Sequence, residues 1–249
     1  MAVLMFVFGT IIGSFLLVVG TRLPEGKDIV FSRSQCDSCH KTLKWYNLVP
    51  IFSFIIQKGR CQNCQKKIPW ECLVVELLTG LAFLGIYLYF KEGYYLYGSL
   101  VILSLLVVIF VSDFKYMIIL DSPLVITFIT FIILKRVYFP KELFSSFLAG
   151  ISLFLIMILT SILGKALFKK DALGGGDIKL SFVMGFILNF KLGLLAIVLS
   201  TFLALPYALG EVYLEKNHQF PYGPFLAGAL LIVFMFYDKF LNLLLYLYI

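Results

Sequence analysis

The chain has 249 residues, of which 61% are hydrophobic and only 14% are charged, and its mean hydropathy is +0.98. A soluble domain of this length carries many more charged residues, so the composition excludes a soluble protein and indicates an integral membrane protein. The net charge of +7 requires no nucleic-acid partner, because basic residues gathered on one side of a membrane, next to anionic lipid, account for it.

Apolar runs in the sequence predict the fold class. A helix that crosses a bilayer needs about 20 apolar residues, and the chain has roughly eight runs of this kind. They lie near residues 2–21, 73–90, 95–112, 117–134, 143–164, 179–190, 192–210 and 222–247. We therefore expect an all-α integral membrane protein with about eight transmembrane helices and one long polar loop, residues 22–71, after the first.

The distribution of basic residues predicts the orientation of these helices. The loop 22–71 contains nine of the 21 Lys and Arg residues, so the positive-inside rule places it in the cytoplasm. Alternation of eight spans then places both termini outside and puts six further lysines on the cytoplasmic side: Lys115, Lys165, Lys169, Lys170, Lys179 and Lys216. No basic residue precedes the first apolar run and Arg22 follows it, which is the wrong polarity for a cleaved signal peptide, so we expect that run to be retained.

Two cysteine pairs in the cytoplasmic loop form the pattern CxxC…CxxC: Cys36, Cys39, Cys61 and Cys64. Pairs at this spacing supply four thiolates to one tetrahedral zinc, whose role is structural because no position remains open for water. Two disulfides or a redox pair are the alternative, and a cytoplasmic location disfavours stable disulfides. His40 can replace one cysteine but is more simply a solvated side chain, and Cys72 is interpreted as a small core residue.

Two isolated acids carry the catalytic prediction. Asp113 ends the third predicted span, and Asp177 follows Gly174, Gly175 and Gly176 at the start of the sixth, so the topology lets both carboxylates meet at the cytoplasmic face. Two carboxylates that share a proton are the machinery of an aspartyl protease: the ionised one activates water and the protonated one is the proton donor. The alternatives are a flexible glycine loop with Asp177 as helix N-cap, and Asp113 as an interfacial charge near Lys115.

Three other features near these acids have competing interpretations. Asp121 lies eight residues after Asp113, about 12 Å along a helix, so only one of the two can lie next to Asp177. Spacing alone does not choose between them. Glu76, one turn inside the second predicted span, is interpreted as structural, and the segment 221–224 is interpreted as a turn before the last span.

The sequence resembles the type IV prepilin leader peptidases, a family of GxGD-type membrane aspartic peptidases, over nearly its whole length. The matching residues are Gly13-Ser14-Phe15-Leu16, Arg22-Leu23-Pro24, Arg33-Ser34 with the first cysteine pair, Trp45-Tyr46 leading to Pro50, Gly59-Arg60 with the second pair, Val75-Glu76-Leu77-Leu78-Thr79-Gly80, Asp113 with Asp121, the run 173–180 and Pro221-Tyr222-Gly223-Pro224-Phe225. The chain departs from the family at Leu120, where proline is usual, and at Leu17, where asparagine is common.

This resemblance implies that Asp113, rather than Asp121, pairs with Asp177 in catalysis. It implies cleavage of the leader from type IV prepilins and pseudopilin precursors at the cytoplasmic face of the cell membrane, and methylation of the new N-terminus from S-adenosylmethionine. No Gly-rich nucleotide-binding turn is visible, so no residue is assigned to the methyl donor. We expect one polytopic domain over 1–249, with the zinc loop at 22–71 linked to methylation and the peptidase core at 95–249.

Two other classes of function remain open. A proton-coupled secondary transporter would use Asp113 and Asp177 as intramembrane proton sites. It is disfavoured because the sequence shows no inverted repeat and a transporter has little use for a zinc knuckle. The third possibility is a non-catalytic assembly factor that holds pilin precursors without cutting them.

Overall fold

The computed structural model describes residues 1–29, 34–36, 38–169, 173–213 and 220–247. Within these ranges the chain is helical, and the only extended pairings are isolated bridges between Gln35 and Thr42 and between Arg60 and Lys67. The helices are α1 (Ala2–Arg22), α2 (Phe52–Ile56), α3 (Trp70–Phe90), α4 (Tyr94–Tyr116), α5 (Asp121–Tyr138), α6 (Leu143–Phe168), α7 (Gly175–Tyr213), α8 (Gly223–Met235) and α9 (Tyr237–Leu247). They form two compact units, Met1–Glu92 and Gly93–Ile249.

The first unit is an antiparallel pair of helices, α1 and α3, whose contact is made by small residues. A Cβ added at Gly9 would lie 2.7 Å from Phe83 Cβ, and one added at Gly13 would lie 2.8 Å from Thr79 Cβ. Later residues of α1 therefore contact earlier residues of α3, which makes the two helices antiparallel. Their backbones approach to a distance that only small side chains permit. Because the pair is antiparallel, the loop between Arg22 and Trp70 begins and ends at the same end of the pair.

The second unit is built around α8, which packs against α4 and α7. Its residues Leu226, Ala227, Ala229 and Leu230 are completely buried. Large side chains from the surrounding helices, together with Phe234 of α8 itself, complete the core: Ile102, Ile109, Phe131, Leu180, Met184 and Phe186. The short α8 is thus the central helix of this unit, and its first residue lies beside the acid at the end of α4.

Helix α7 is interrupted at Asn189, whose backbone is not helical (φ 65°, ψ 174°). A Cβ added at Gly193 would lie 3.4 Å from the Cα of Gly185, whereas residues eight apart in a straight helix are about 12 Å apart. The chain therefore folds back at Asn189 into two antiparallel helical segments. The predicted boundary between the sixth and seventh spans, at 190–192, lies beside this break.

A buried polar network holds this break in place. Lys135, only 2% exposed, donates a hydrogen bond to Ser146 Oγ at 2.6 Å, and Ser146 donates to Asn189 Oδ1 at 3.2 Å. Asn189 Nδ2 in turn donates to the Tyr237 hydroxyl at 3.4 Å. The network ties α5, α6 and α9 to the turn of α7 and satisfies polar groups that would otherwise be costly to bury.

The all-α membrane fold is confirmed, but the count of about eight spans is not. In the described part of the chain, five helices are long and apolar enough to cross a membrane, or six if α8 and α9, bent by 84°, count as one span. That count takes the folded α7 as one helix. It omits α5, the predicted fourth span, because this helix of 18 residues contains three charged residues, Asp121, Lys135 and Arg136. Hydropathy separates the two apolar runs on either side of Asn189, but it does not detect the bend after α8.

Candidate active site and metal site

Asp113 lies near the C-terminal end of α4 and is 6% exposed. Its Oδ2 accepts a hydrogen bond from the backbone N–H of Gly223, the first residue of α8, at 3.0 Å. The first amides of a helix have no partner within the helix, so they are available to a carboxylate. A Cβ at position 223 would lie 2.9 Å from this same oxygen. Glycine is therefore required for the close approach of the two helices.

Asp177 lies in the first turn of α7 and is 8% exposed. Its Oδ2 accepts a hydrogen bond from the backbone N–H of Gly174 at 3.2 Å, and its own N–H donates to the carbonyl oxygen of Gly174 at 3.1 Å. Asp177 is therefore the third residue of α7 and accepts from the amide of the residue that precedes the helix, so it is not the helix N-cap that the sequence offered as an alternative. The other oxygen, Oδ1, is buried and has no hydrogen-bond partner among the described residues. A buried carboxylate oxygen left unpaired is costly and suits a site that receives a proton or a polar reactant.

Ile119 brings the two acids into one site. A Cβ at Gly176 would lie 2.6 Å from Ile119 Cβ, and a Cβ at Gly223 would lie 2.8 Å from Ile119 Cδ1. One side chain thus contacts both the residue before Asp177 and the amide donor to Asp113.

Asp121 has a different environment. It is the first residue of α5, and both of its carboxylate oxygens lie within 2.8 Å of Lys179 Nζ. The side chain of Asp121 is 64% exposed and that of Lys179 is 55% exposed. Of the two rivals, Asp113 is the buried one with a backbone donor, and Asp121 is a surface acid neutralised by a lysine.

The segment 221–224 contributes more to this site than a turn. It supplies the Gly223 amide, and the hydroxyl of Tyr222 is hydrogen-bonded to Ser200 Oγ across to the second half of α7. Sequence reasoning missed this contribution because a backbone donor has no side-chain signature. The available signal was a glycine flanked by Pro221 and Pro224 at the start of a buried helix.

The four cysteine sulfurs form a compact cluster, with all Sγ atoms within 4.8 Å of one another. Cys36 Sγ and Cys64 Sγ are 3.8 Å apart. Four thiolates around one zinc at about 2.3 Å would place their sulfurs about 3.8 Å apart, so the cluster fits a tetrahedral metal ion. None of the five cysteines, which all lie within the described residues, forms a disulfide, and Cys72 lies outside the cluster.

The two cysteine knuckles have matching backbone geometry. Cys36 N–H donates to the carbonyl of Lys41, and Cys61 N–H donates to that of Lys66. In the same way, His40 N–H donates to Cys36 and Gln65 N–H donates to Cys61. Both His40 and Gln65 have positive φ. Thus His40 occupies a turn position and is exposed, while Asp37 and Arg33 of the predicted motifs lie outside the described residues.

Backbone amides in the knuckles favour the thiolate form that binds metals. The N–H groups of Cys39 and Ser38 lower the pKa of Cys36 to about 6, and those of Cys64 and Asn63 lower the pKa of Cys61. The N–H of Lys66 acts to lower the pKa of Cys64, but desolvation and the neighbouring thiols outweigh it and raise that pKa to about 11. Four thiolates this close require a cation, and the cluster can bind a metal ion.

Comparison with known proteins gives the family. Residues 7–90 match the bacterial peptidase A24 N-terminal domain, and residues 100–209 match the type IV leader peptidase family. A prepilin leader peptidase/N-methyltransferase of Bacillus subtilis is 31% identical over 245 residues, which cover 96% of each chain. One of Myxococcus xanthus is 35% identical over 193 residues, 76% of this chain and 57% of that one, and one of Vibrio cholerae is 28% identical over 245 residues, 93% and 95% of the two chains.

No solved structure matches the chain significantly. The resemblance noted in the sequence is confirmed by these relatives and by the two matched domains, which together run through most of the chain. Several apolar helices and these relatives also agree on an integral membrane protein. The chain therefore belongs to the type IV leader peptidase family, the enzymes that process type IV prepilins.

Proposed function

We propose that this enzyme cleaves the leader from type IV prepilins and pseudopilins with Asp113 and Asp177 as its paired catalytic carboxylates. The observation that supports this pairing is that two buried acids, from α4 and α7, are joined through Ile119, which contacts Gly176 next to Asp177 and Gly223 next to Asp113. Asp177 Oδ1 has no protein donor within the described residues and is the atom best suited to meet a reactant.

The backbone amides prepare each acid for this reaction. Gly223 N–H holds one oxygen of Asp113, and Gly174 N–H holds one oxygen of Asp177. Each carboxylate is thereby fixed in orientation, which hydrolysis needs because a small misplacement of a catalytic group is costly in rate. The pair shares one proton, since two like charges in a buried site cannot both ionise readily.

Peptide hydrolysis proceeds in two stages in this arrangement. The ionised carboxylate takes a proton from water as the water oxygen attacks the carbonyl carbon, and the protonated carboxyl donates its proton to the carbonyl oxygen. A tetrahedral diol results. The carboxyl that is protonated after the first step then donates its proton to the amide nitrogen, the other carboxylate takes a proton from a hydroxyl of the diol, and the C–N bond breaks. The pair is again singly protonated, and the products are a carboxylic acid, which ionises in water, and an amine.

The environment of Asp121 disfavours it as the partner of Asp177. Its ion pair with Lys179 would have to break before it could accept a proton from water. Its exposed side chain is also solvated, whereas a general acid and base of this kind depend on burial. Asp121 is better suited to hold α5 against the start of α7.

We propose that the cysteine cluster holds a structural zinc through Cys36, Cys39, Cys61 and Cys64. Four sulfur ligands leave no position for a reacting water, so this metal does not take part in hydrolysis. Cys61 is the only buried residue among the described residues between 23 and 69. A segment without a hydrophobic core of its own depends on the metal to fold.

We propose that the enzyme also methylates the new N-terminus. The support is that relatives are named prepilin leader peptidase/N-methyltransferase and that the matched N-terminal domain, residues 7–90, contains the cysteine loop. S-adenosylmethionine supplies the methyl group. The neutral amine of the cleaved chain attacks the methyl carbon, the carbon–sulfur bond breaks, and the amine then loses a proton to solvent.

We propose a single polytopic enzyme, residues 1–249, in the cell membrane, with the cysteine loop at 22–71, the peptidase core at 95–249 and the paired acids facing the cytoplasm. Within the second unit, Lys115 follows Asp113 and Lys179 follows Asp177, and basic residues concentrate on cytoplasmic ends. Two of the lysines on which the predicted orientation is based, Lys170 and Lys216, lie outside the described residues. The partners are prepilin precursors and membrane lipid, and no nucleic acid.

The test is incubation of the purified full-length enzyme in lipid nanodiscs with a prepilin precursor and S-adenosylmethionine, followed by mass spectrometry of the product. We expect a mature chain that has lost its leader and gained one methyl group at its N-terminus. Binding of the precursor without cleavage would contradict the proposal and favour a non-catalytic assembly factor. Proton-linked solute uptake by the same protein in sealed lipid vesicles, with no cleavage in nanodiscs, would favour a transporter.

A further inference from the structure

The segment 45–56 of the cysteine loop exposes large apolar side chains. Trp45 is 80% exposed, Phe52 65%, Ile55 62% and Ile56 75%. We call these four residues the apolar patch. The segment contains only a short helix, α2, and belongs to none of the helices that are long enough to cross a membrane. Contiguous exposed apolar surface of this kind marks a site of interaction rather than a solvated loop.

A hydrogen bond places this segment at a defined depth. Ile51 N–H donates to Glu76 Oε2 at 2.8 Å, and Glu76 is only 8% exposed. Glu76 lies six residues inside α3, about 9 Å along the axis from Trp70. The backbone of the segment therefore lies beside the second turn of a spanning helix and does not project beyond the helix end.

The length of α3 relates that depth to the bilayer. Its 21 residues span about 31 Å, close to the thickness of the hydrocarbon core of a membrane. Its first turns therefore lie at the boundary between head groups and acyl chains. Leu77 and Leu78, one residue and two residues after Glu76, are already exposed, as apolar side chains that face lipid would be.

Ile51 is held in a conformation that isoleucine rarely adopts. Its φ is +62°, in the region that disfavours L residues and β-branched residues most of all. Such a conformation persists only where surrounding contacts stabilise it. The bond to buried Glu76 is that contact, so the segment has a fixed position beside α3.

The charge around the patch has a single sign. Residues 38–70 contain no Asp or Glu. They contain six basic residues, which flank the patch on both sides: Lys41, Lys44, Lys58, Arg60, Lys66 and Lys67. Apolar and aromatic residues bordered by Lys and Arg are typical of protein segments that lie in the membrane interface, where the basic side chains meet anionic phosphates.

We propose that the apolar patch inserts into the leaflet at this end of α3 and that the flanking basic residues bind anionic phospholipid head groups. The position of the segment beside α3, the exposure of the apolar patch and the positive charge around it each favour a lipid surface as the partner of the patch. Insertion would hold the cysteine cluster against the bilayer surface through a third attachment, in addition to α1 and α3. The inference depends on the membrane placement of α3 and not on which residues catalyse the reactions.

The chain offers a direct test because it has two tryptophans, Trp45 and Trp70. In the full-length Trp70→Phe enzyme, Trp45 is the single reporter, and it is reconstituted in vesicles of phosphatidylcholine and phosphatidylglycerol. We expect a blue-shifted emission, loss of most of the fluorescence when the acyl chains are brominated near the head group, and little quenching by aqueous iodide. The matched Trp45→Phe enzyme reports the depth of the start of α3.

Three outcomes overturn the proposal. The first is water-like emission from Trp45 with strong quenching by iodide and none by brominated lipid. The second is protection of Trp45 only after a prepilin precursor is added, which would make the patch a substrate-docking surface. The third is equal lipid quenching in vesicles of phosphatidylcholine alone, which would remove the role assigned to anionic head groups.

A second pair of variants tests the depth argument. Glu76→Gln keeps an oxygen acceptor for Ile51 N–H, and we expect it to retain the lipid quenching of Trp45. Glu76→Leu removes the acceptor, and we expect it to lose most of that quenching while the total helix content measured by circular dichroism stays at the wild-type value. Unchanged quenching in Glu76→Leu would contradict the role of this bond.

Discussion

The backbone amide of Gly223 donates a hydrogen bond to Oδ2 of Asp113 at 3.0 Å, between residues 110 positions apart in the chain. This contact joins the beginning of α8, the most buried helix of the second unit, to the end of α4. It links the packing of the core to the orientation of one acid of the proposed catalytic pair. The backbone amide of Gly174, in the loop just before α7, likewise donates a hydrogen bond to Oδ2 of Asp177.

Gly223→Ala tests this orientation. The added Cβ would lie 2.9 Å from Asp113 Oδ2, so the carboxylate must move, and we expect kcat for leader cleavage to fall about 100-fold with a smaller change in KM. Gly228→Ala in the same helix is the matched control, because a Cβ there meets nothing within 4 Å. Wild-type turnover by Gly223→Ala would show that the amide contact has no part in catalysis.

Ile119 provides a second test of the site geometry. Gly176→Ala places a Cβ 2.6 Å from Ile119 Cβ, and we expect it to lower cleavage about 10-fold. Ile119→Gly should restore much of this loss in the double variant, because it removes Ile119 Cβ together with the rest of the clashing side chain. It should not restore Gly223→Ala, where Asp113 itself is in contact. Equal rescue of both variants, measured as kcat/KM, would contradict the arrangement described here.

The sequence predicts those parts of the fold and the site that depend on a recognisable pattern of residue types. The long apolar runs of α1, α3 and α4 were placed within a few residues of their observed bounds, and the CxxC spacing located the cysteine cluster. Topology alone predicts that Asp113 and Asp177 lie at the same membrane face, because Asp113 ends one apolar run and Asp177 begins another on the predicted cytoplasmic side.

The remaining features depend on backbone geometry and on packing. The bond from Gly223 uses an amide that every residue except proline possesses, so no residue type signals it. The break at Asn189 is stabilised by Lys135 and Tyr237, which are distant in sequence and look like ordinary interfacial residues. Asp121 and Asp113 could not be distinguished by spacing, since the difference is that Lys179 reaches one and the core encloses the other.

The cysteine cluster should contain one zinc per chain. Enzyme purified without chelators should show zinc by elemental analysis, and Cys61→Ser should lose it together with protection of the loop from proteolysis, because the loop has no core of its own. Cys72→Ser is the control, since this thiol lies outside the cluster. A metal-free wild-type enzyme, or a Cys72→Ser enzyme that also loses its metal, would contradict the assignment.

Loss of the zinc loop should affect the two proposed reactions differently. In Cys61→Ser/Cys64→Ser we expect methylation to fall further than cleavage, because the acids lie on helices packed within the second unit and the loop depends on its metal. Both products are measured in one reaction, with a pre-cleaved substrate as a separate methylation assay. An equal loss of both activities would instead make the loop a shared scaffold for the whole enzyme.

The most direct test of the account is leader cleavage by Asp113→Asn, Asp177→Asn and Asp121→Asn enzymes in parallel. An amide keeps the size of the carboxylate but cannot exchange the shared proton, so we expect Asp113→Asn and Asp177→Asn each to lose about 10³-fold or more in kcat. Asp121→Asn breaks only an exposed ion pair, worth up to about 1 kcal/mol, and should cleave at close to the wild-type rate. Near-normal turnover by Asp113→Asn or Asp177→Asn, or loss of cleavage in Asp121→Asn with the other two active, would contradict the pairing of Asp113 with Asp177.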